Sequence, residues 1–289
     1  STTRPTALQR QVEINRRRIA GKPYARFFDN RMQFDTGSLA SRHSPIDPRD
    51  ALLESDIDRL LDPGYLPVET GFCVLPDGGA YVASHVRFSN VPIDAMRWWW
   101  WWHSVESERY TLWHPYAHVS VERDDPDVVG NPNLSDEARY VGSRHAIREY
   151  IGSRRVDILI DFRGPAEFGL DEERIRCAGI VHGCGWVSLK RPRLRIVRMI
   201  HLARPTRDGF ELRSRYWIGR DLRLETPFGT LDAPRSGRFL ARLNAGRLLG
   251  IARDQLVHDQ SEFTHLAGFL GPLHAEFGTR PKPRPTISA

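Results

Sequence analysis

Histidine and glutamate stand four residues apart three times in this chain, at His118/Glu122, His145/Glu149 and His258/Glu262. On a helix, positions i and i+4 share a face, so an imidazole and a carboxylate can converge on one metal ion, and both are good zinc donors. With 11 histidines and 15 glutamates, chance alone supplies roughly half such a pair. Spacing therefore nominates the pairs without choosing among them. His258/Glu262 lies in the most convincing helical stretch, where the plainer reading is an exposed ion pair worth about 0.2–0.5 kcal/mol. A second cluster, Trp113-His114-Pro115-Tyr116-Ala117-His118, also holds two histidines four apart. Pro115 argues against a helix between them, so one is expected to bind metal and the other to be structural.

Other residues could move protons. Val181-His182-Gly183-Cys184-Gly185 reads as a strand facing a cavity, which makes His182 a candidate general acid. A packed strand histidine fits the same pattern equally well. Cys184 has no base placed beside it by sequence and is a weak nucleophile candidate.

These side chains must be held by a scaffold, and the patterning outlines one. Ala7 to Ile19 reads as a short amphipathic helix. Asp47 to Leu61 reads as another, with Asp47 as cap, Pro48 in the first turn and Pro63-Gly64 as the stop. Gly71 to Val86 holds two strand-like runs about the turn Pro76-Asp77-Gly78-Gly79. Asp94 opens a helical segment carrying Trp98 to Trp102. Five consecutive indoles must be buried against several partners or line an apolar cavity. Val156–Phe162, Cys177–Leu189, Leu194–Ala203 and Phe210–Ile218 read as strands separated by Gly and Pro, which predicts an antiparallel sheet. Gly237 to about Phe269 is strongly helical, with Gly271-Pro272 after it. The reading divides the chain into an N-terminal mixed region (1–90), a main domain (91–278) and a proline-containing tail (279–289). A curved sheet followed by a long C-terminal helix is an α+β helix-grip arrangement, which holds a ligand cavity between sheet and helix.

Bulk properties narrow the class. The chain has 289 residues, and its net charge of +6 comes from 42 basic and 36 acidic side chains, mostly interspersed. Interspersed charge describes a solvated arginine-rich surface better than a nucleic-acid-binding face, so no nucleic-acid partner is expected. No run of 18 apolar residues is present, so no membrane span is expected, and the N-terminus lacks the apolar core of a secretory signal. Three cysteines without a Cys-x-x-Cys pair suit a reducing cytoplasm and argue against thiolate zinc.

Together the motifs resemble one family. Glu108-Arg109-Tyr110-Thr111-Leu112-Trp113-His114-Pro115 and His118 follow a Trp-rich segment. With His258-x-x-x-Glu262 and the following Leu266-Ala267-Gly268-Phe269-Leu270, they resemble the diacetylphloroglucinol hydrolases, to which phloretin hydrolases are related. The resemblance runs from about Lys22 to Phe277. It implies a Bet v 1-like helix-grip fold and a zinc ion held by His118, Glu149, His258 and Glu262, with Glu122 the nearby alternative to Glu149. It also implies substrate contacts from Tyr110 and Tyr216, and a homodimer. An asparagine expected shortly after the first histidine is replaced by the run Ser120-Val121-Glu122, a departure that bears on the substrate. The implied reaction is hydrolysis of the carbon–carbon bond between an acyl group and a phenolic ring. Alternatives are a helix-grip binding protein for aromatic or lipid ligands, and a zinc hydrolase of another aryl ketone or 1,3-diketone.

Overall fold

A computed structural model describes residues 5–28, 31–32, 42, 44–232 and 245–278. The expected tail, 279–289, lies outside the described residues, as do residues 237–244 of the expected C-terminal helix.

The chain opens with helix α1 (Ala7–Ile19), started by a capping box between Thr6 and Gln9, as its amphipathic pattern predicts. The region expected to form a helix from Asp47 to Leu61 instead forms two 3-10 segments, Pro48–Asp50 and Glu54–Leu61. Asp47 does cap the first, accepting from Arg49 N at 2.9 Å. The chain then extends at Ala51 and Leu53, and the Leu52 carbonyl accepts from Trp217 Nε1 at 2.9 Å. That tertiary bond accompanies the break in the helix. Strands β1 (Gly71–Val74) and β2 (Ala80–Ser89) follow.

Next come α2 (Ile93–Trp102), α3 (Ser107–Trp113), β3 (His118–Arg123), α4 (Pro126–Val129), β4 (Arg144–Ile151), β5 (Arg154–Phe162) and α5 (Glu172–Cys177). Strands β6 (Val181–His182), β7 (Gly185–Leu189), β8 (Leu194–Thr206), β9 (Gly209–Thr226) and β10 (Gly229–Asp232) complete the sheet. Helices α6 (Ala245–Ala267) and α7 (Leu270–Phe277) close the described chain. The single strand expected over Cys177–Leu189 is thus a helix end and two strands. Pro205 does not end β8, which continues to Thr206 by pairing Pro205 with Phe210. Gly271-Pro272 starts α7 rather than stopping the chain, since proline is tolerated in a first helical turn.

The ten strands form one antiparallel sheet in the order β1-β2-β9-β8-β7-β5-β4-β3, with β10 on β9 and β6 on β8. β2 pairs with β9 over ten residues, from Ala80↔Ile218 to Ser89↔Gly209, so the sheet is continuous across residue 90. The period-two alternation of strands sends neighbouring residues to two cores. Tyr81, Ile200 and Trp217 pack with Leu52, Leu60 and Phe168 on one face. Val82, Met199 and Tyr216 pack on the other, with the helices and the tryptophan run. Trp98, Trp99, Trp100 and Trp102 are buried, and Trp101 donates to Asp136 Oδ1 at 3.1 Å. Helix α6 lies on the second face against β1, β2 and β4, and α3 packs on both β3 and α6. No helix among the described residues is long and apolar enough to cross a membrane.

Candidate metal centre

Two local rules bring the four expected ligands together. His118 and Glu149 are direct partners in the β3–β4 pairing. Cross-strand partners place their Cβ atoms about 4.5–5.5 Å apart on one face. A bulge between His118 and Ser120 bends β3 at this position, a device that re-aims a side chain. His258 and Glu262 sit one turn apart on α6, which crosses that face, and both are buried.

The donor atoms meet there. His118 Nε2 lies 3.2 Å from Glu262 Oε2 and 3.6 Å from Glu149 Oε2. His258 Nε2 lies 3.7 Å and 3.8 Å from the same two oxygens. His118, His258 and Glu262 have donor atoms all within 4.8 Å of one another. A tetrahedral ion with bonds of about 2.0–2.2 Å would separate its donors by about 3.3–3.6 Å, close to the distances found.

Proton placement supports the same conclusion. His118 Nδ1 lies 2.9 Å from the Tyr110 carbonyl, which can only accept, so the ring proton is on Nδ1. Nε2 is then a lone pair, buried, without a hydrogen-bond partner, and facing two carboxylates. Lone pairs facing one another repel unless a cation lies between them, so the residues fit a divalent ion. Burial, then the neighbouring His258 and His114, holds the His118 imidazole well below its ordinary pKa. Burial, then the charges of Asp259 and Glu149, pushes the Glu262 carboxyl well above its own. A bound cation would reverse the second effect and exploit the first, since ligands bind as neutral imidazole and carboxylate.

Tyr110 braces this cluster three ways. Its carbonyl orients His118, its ring stacks on the His118 ring at 3.8 Å and 4°, and its hydroxyl donates to Glu149 Oε2. Tyr216 donates to Asp259 Oδ2 at 2.5 Å and lies 3.5 Å from His201 Nε2. Asn15 of α1, fully buried, donates to the Pro115 and His118 carbonyls at 2.8 Å each and pins the loop that delivers His118.

A cavity of about 360 Å³ opens beside the cluster, lined by Tyr110, Glu149, Tyr216, His258 and Glu262 with Trp100, Trp113 and a belt of aliphatic strand residues. Phenol-sized apolar ligands suit such a lining. His182 does not line it. Its ring faces Glu137, with Nε2 3.3 Å from Oε1, and its carbonyl accepts from Tyr140, so the expected place at the cavity wall is corrected. The imidazole that does reach the wall from the neighbouring strand is His201, held by Ser214 Oγ at 2.8 Å and driven by burial to a pKa of about 3. The alternation of β8 could have flagged it, since Met199 and His201 share a face. Asp259 was also missed, because no spacing rule links it to Tyr216. Glu122 and His145 fall on strands, so neither forms the helical pair its spacing suggests, although His145 shares a strand face with Glu149. His114 stacks on His258 at 5.1 Å, the structural member of its pair. Burial pushes the Cys184 thiol pKa up, which makes it inert.

Comparison with known proteins gives the chain a family. The model of the DAPG hydrolase PhiG domain matches residues 52–275. A 2,4-diacetylphloroglucinol hydrolase of Pseudomonas protegens is 36% identical over 279 residues, covering 94% of this chain and 90% of the relative. One from Pseudomonas sp is 36% identical with 94% of both chains covered. A phloretin hydrolase of Eubacterium ramulus is 29% identical over 236 residues, covering 80% of this chain and 78% of its own. The chain therefore belongs to the DAPG hydrolase family of enzymes.

Proposed function

We propose that the protein is a zinc-dependent hydrolase that cleaves the carbon–carbon bond between an acyl group and a phloroglucinol-type ring, releasing a carboxylic acid. The convergence of two imidazoles and two carboxylates on the wall of an apolar cavity carries this reading. His118, Glu149, His258 and Glu262 would hold the ion. The donor set of two nitrogens and two oxygens suits zinc. When bound, zinc supplies Lewis-acid polarisation of a substrate oxygen and acidifies water.

The chain's own groups account for the rest. The aliphatic belt and Trp100 hold the ring and exclude bulk water. Tyr110 and Tyr216 line the reacting end of the cavity, and their hydroxyl oxygens, whose protons go to Glu149 and Asp259, can accept from the ring hydroxyls and orient them. His201, neutral at physiological pH, takes the place first given to His182. It hydrogen-bonds a ring hydroxyl and relays that hydroxyl's proton to the ring carbon that carries the acyl group, without resting protonated. That carbon then sits between two carbonyl-like positions. Water adds to the acyl carbonyl, the aryl–acyl bond breaks, and its electron pair returns to the ring as a stabilised enolate. One water is consumed, giving the deacylated phenol and the acid.

The same reading takes the fold as a Bet v 1-like helix-grip, with α6 gripped by the curved sheet. The working unit includes β1 and β2 from the region before residue 90. The low cysteine count favours a cytoplasmic setting. The test is incubation with 2,4-diacetylphloroglucinol and with phloretin, following acid release by chromatography. Acid release from either supports the reading; inactivity of the zinc-loaded protein on both removes the phloroglucinol substrate.

A further inference from the structure

The cavity lining includes the exposed Arg154 and Arg247 and, deeply buried, two imidazoles, His103 and His145. Along β4 the cavity-lining residues run from Ile151, partly exposed, through Glu149 and Ile147 to His145, fully buried. At 3.2–3.4 Å per residue, His145 lies roughly 13 Å along the strand from Glu149. His103, at the end of α2, lines the same inner end, with its ring 6.2 Å from that of His145.

The protein fixes the tautomer of each ring. His103 Nδ1 lies 2.7 Å from the Trp99 carbonyl, so Nδ1 carries the proton and Nε2 is an acceptor. Ser143 spends its hydroxyl proton on the Tyr140 carbonyl at 2.6 Å. Its oxygen, 3.0 Å from His145 Nε2, must therefore accept from that nitrogen. His145 Nδ1 is left as an acceptor, buried and without a partner. Burial keeps both rings neutral, with His103 lowered to about 4 and His145 well below its ordinary value. Two cavity-lining indoles, Trp100 and Trp113, have buried Nε1–H donors without partners. Unpaired buried groups of both kinds carry a cost that a matching ligand removes.

Resting on the reading of this cavity as a phenol site, we propose that His103 and His145 form a second recognition subsite that binds the ring hydroxyl opposite the acyl group. A hydroxyl is the group that fits, since it donates to an imidazole nitrogen and can accept from an indole. A carbonyl or carboxylate there would oppose lone pairs to lone pairs. The subsite selects the ring's substitution pattern, while the metal end receives the acyl group.

The experiment uses two unreactive phenols, 1,3,5-trihydroxybenzene and 1,3-dihydroxybenzene, titrated calorimetrically into the zinc-loaded protein. The wild type is expected to bind the trihydroxy ligand about tenfold or more tightly than the dihydroxy ligand. His145→Phe and His103→Phe should each shrink that gap. Equal or undetectable affinity of the wild type for both phenols overturns the proposal without any variant having to fold. A gap that persists in both variants also overturns it and assigns the inner end to bound water. Hydrolysis of 2,4,6- and 2,6-hydroxylated phenyl ketones is measured in parallel. A binding gap without turnover of either ketone sinks the hydrolase reading and leaves the subsite standing; turnover without a gap does the reverse.

Discussion

Replacing Tyr110 by Phe isolates one bond at the metal centre. The ring that stacks on His118 and the carbonyl that orients it are both retained, and only the hydroxyl donated to Glu149 Oε2 is lost. That oxygen lies 3.6 Å and 3.8 Å from the two histidine nitrogens. A hydrogen bond to a charged acceptor contributes about 1.5–3 kcal/mol, and loss of a partner that orients a metal ligand typically lowers affinity about 10- to 100-fold. Tyr110→Phe should therefore weaken zinc binding by about 10- to 100-fold, measured by competition with a chromogenic chelator. The metal-free variant should melt within a few degrees of the metal-free wild type, because the fully buried ring still fills its site. An unchanged zinc affinity would refute the assignment of Glu149 as a ligand braced by Tyr110. A large loss of metal-free stability would mean that the hydroxyl serves the fold instead.

Other consequences follow from the same geometry. Asn15→Ala removes both bonds to the Pro115 and His118 carbonyls and should cost about 1–3 kcal/mol of stability, read from the urea midpoint, together with some zinc affinity. His201→Phe should keep its metal while losing about 100-fold or more in kcat; a wild-type rate would remove His201 from proton transfer. The metal-free protein should be acid-labile. Four buried imidazoles (His103, His118, His145 and His201) and the half-buried His114 have lowered pKa values, so unfolding takes up protons and stability is lost as pH falls below about 6.5. Asp259 and Glu262, held high by burial, act in the opposite direction, but they are two against five. The urea midpoint should drop between pH 7.5 and pH 5, and a flat or rising midpoint would show that these histidines are not buried as described.

The sequence was most informative where one local rule decides the structure. The amphipathic stripe of α1, the turn between β1 and β2, and the i, i+4 pair of α6 all follow from periodicity and capping. The Trp98–Trp102 segment had to be buried or to line an apolar cavity; Trp98, Trp99, Trp100 and Trp102 are buried, and Trp100 also lines the cavity. His118/Glu149 was legible through family resemblance alone, because their meeting depends on the β3–β4 register and a bulge, neither of which leaves a spacing signature. The same limit explains His182 and His201. Both fall on strands near Gly183, and only the sheet order decides which one reaches the cavity. The predicted helix at Asp47–Leu61 had a sound cap and proline, but the Trp217–Leu52 bond, made 165 residues apart, accompanies an extended break that local propensity cannot foresee. The paired acceptors of His103 and His145 became visible only once their other nitrogens had named partners.

The central claim is that four side chains hold one zinc ion that the reaction needs. The most direct measurement is elemental analysis of the purified wild type beside His258→Ala, with hydrolysis of 2,4-diacetylphloroglucinol assayed on the same samples. The account predicts about one zinc per wild-type chain, little in the variant, and activity that disappears with chelator and returns with added zinc. A wild type that hydrolyses the substrate while metal-free, or that binds zinc equally well after His258→Ala, would contradict it.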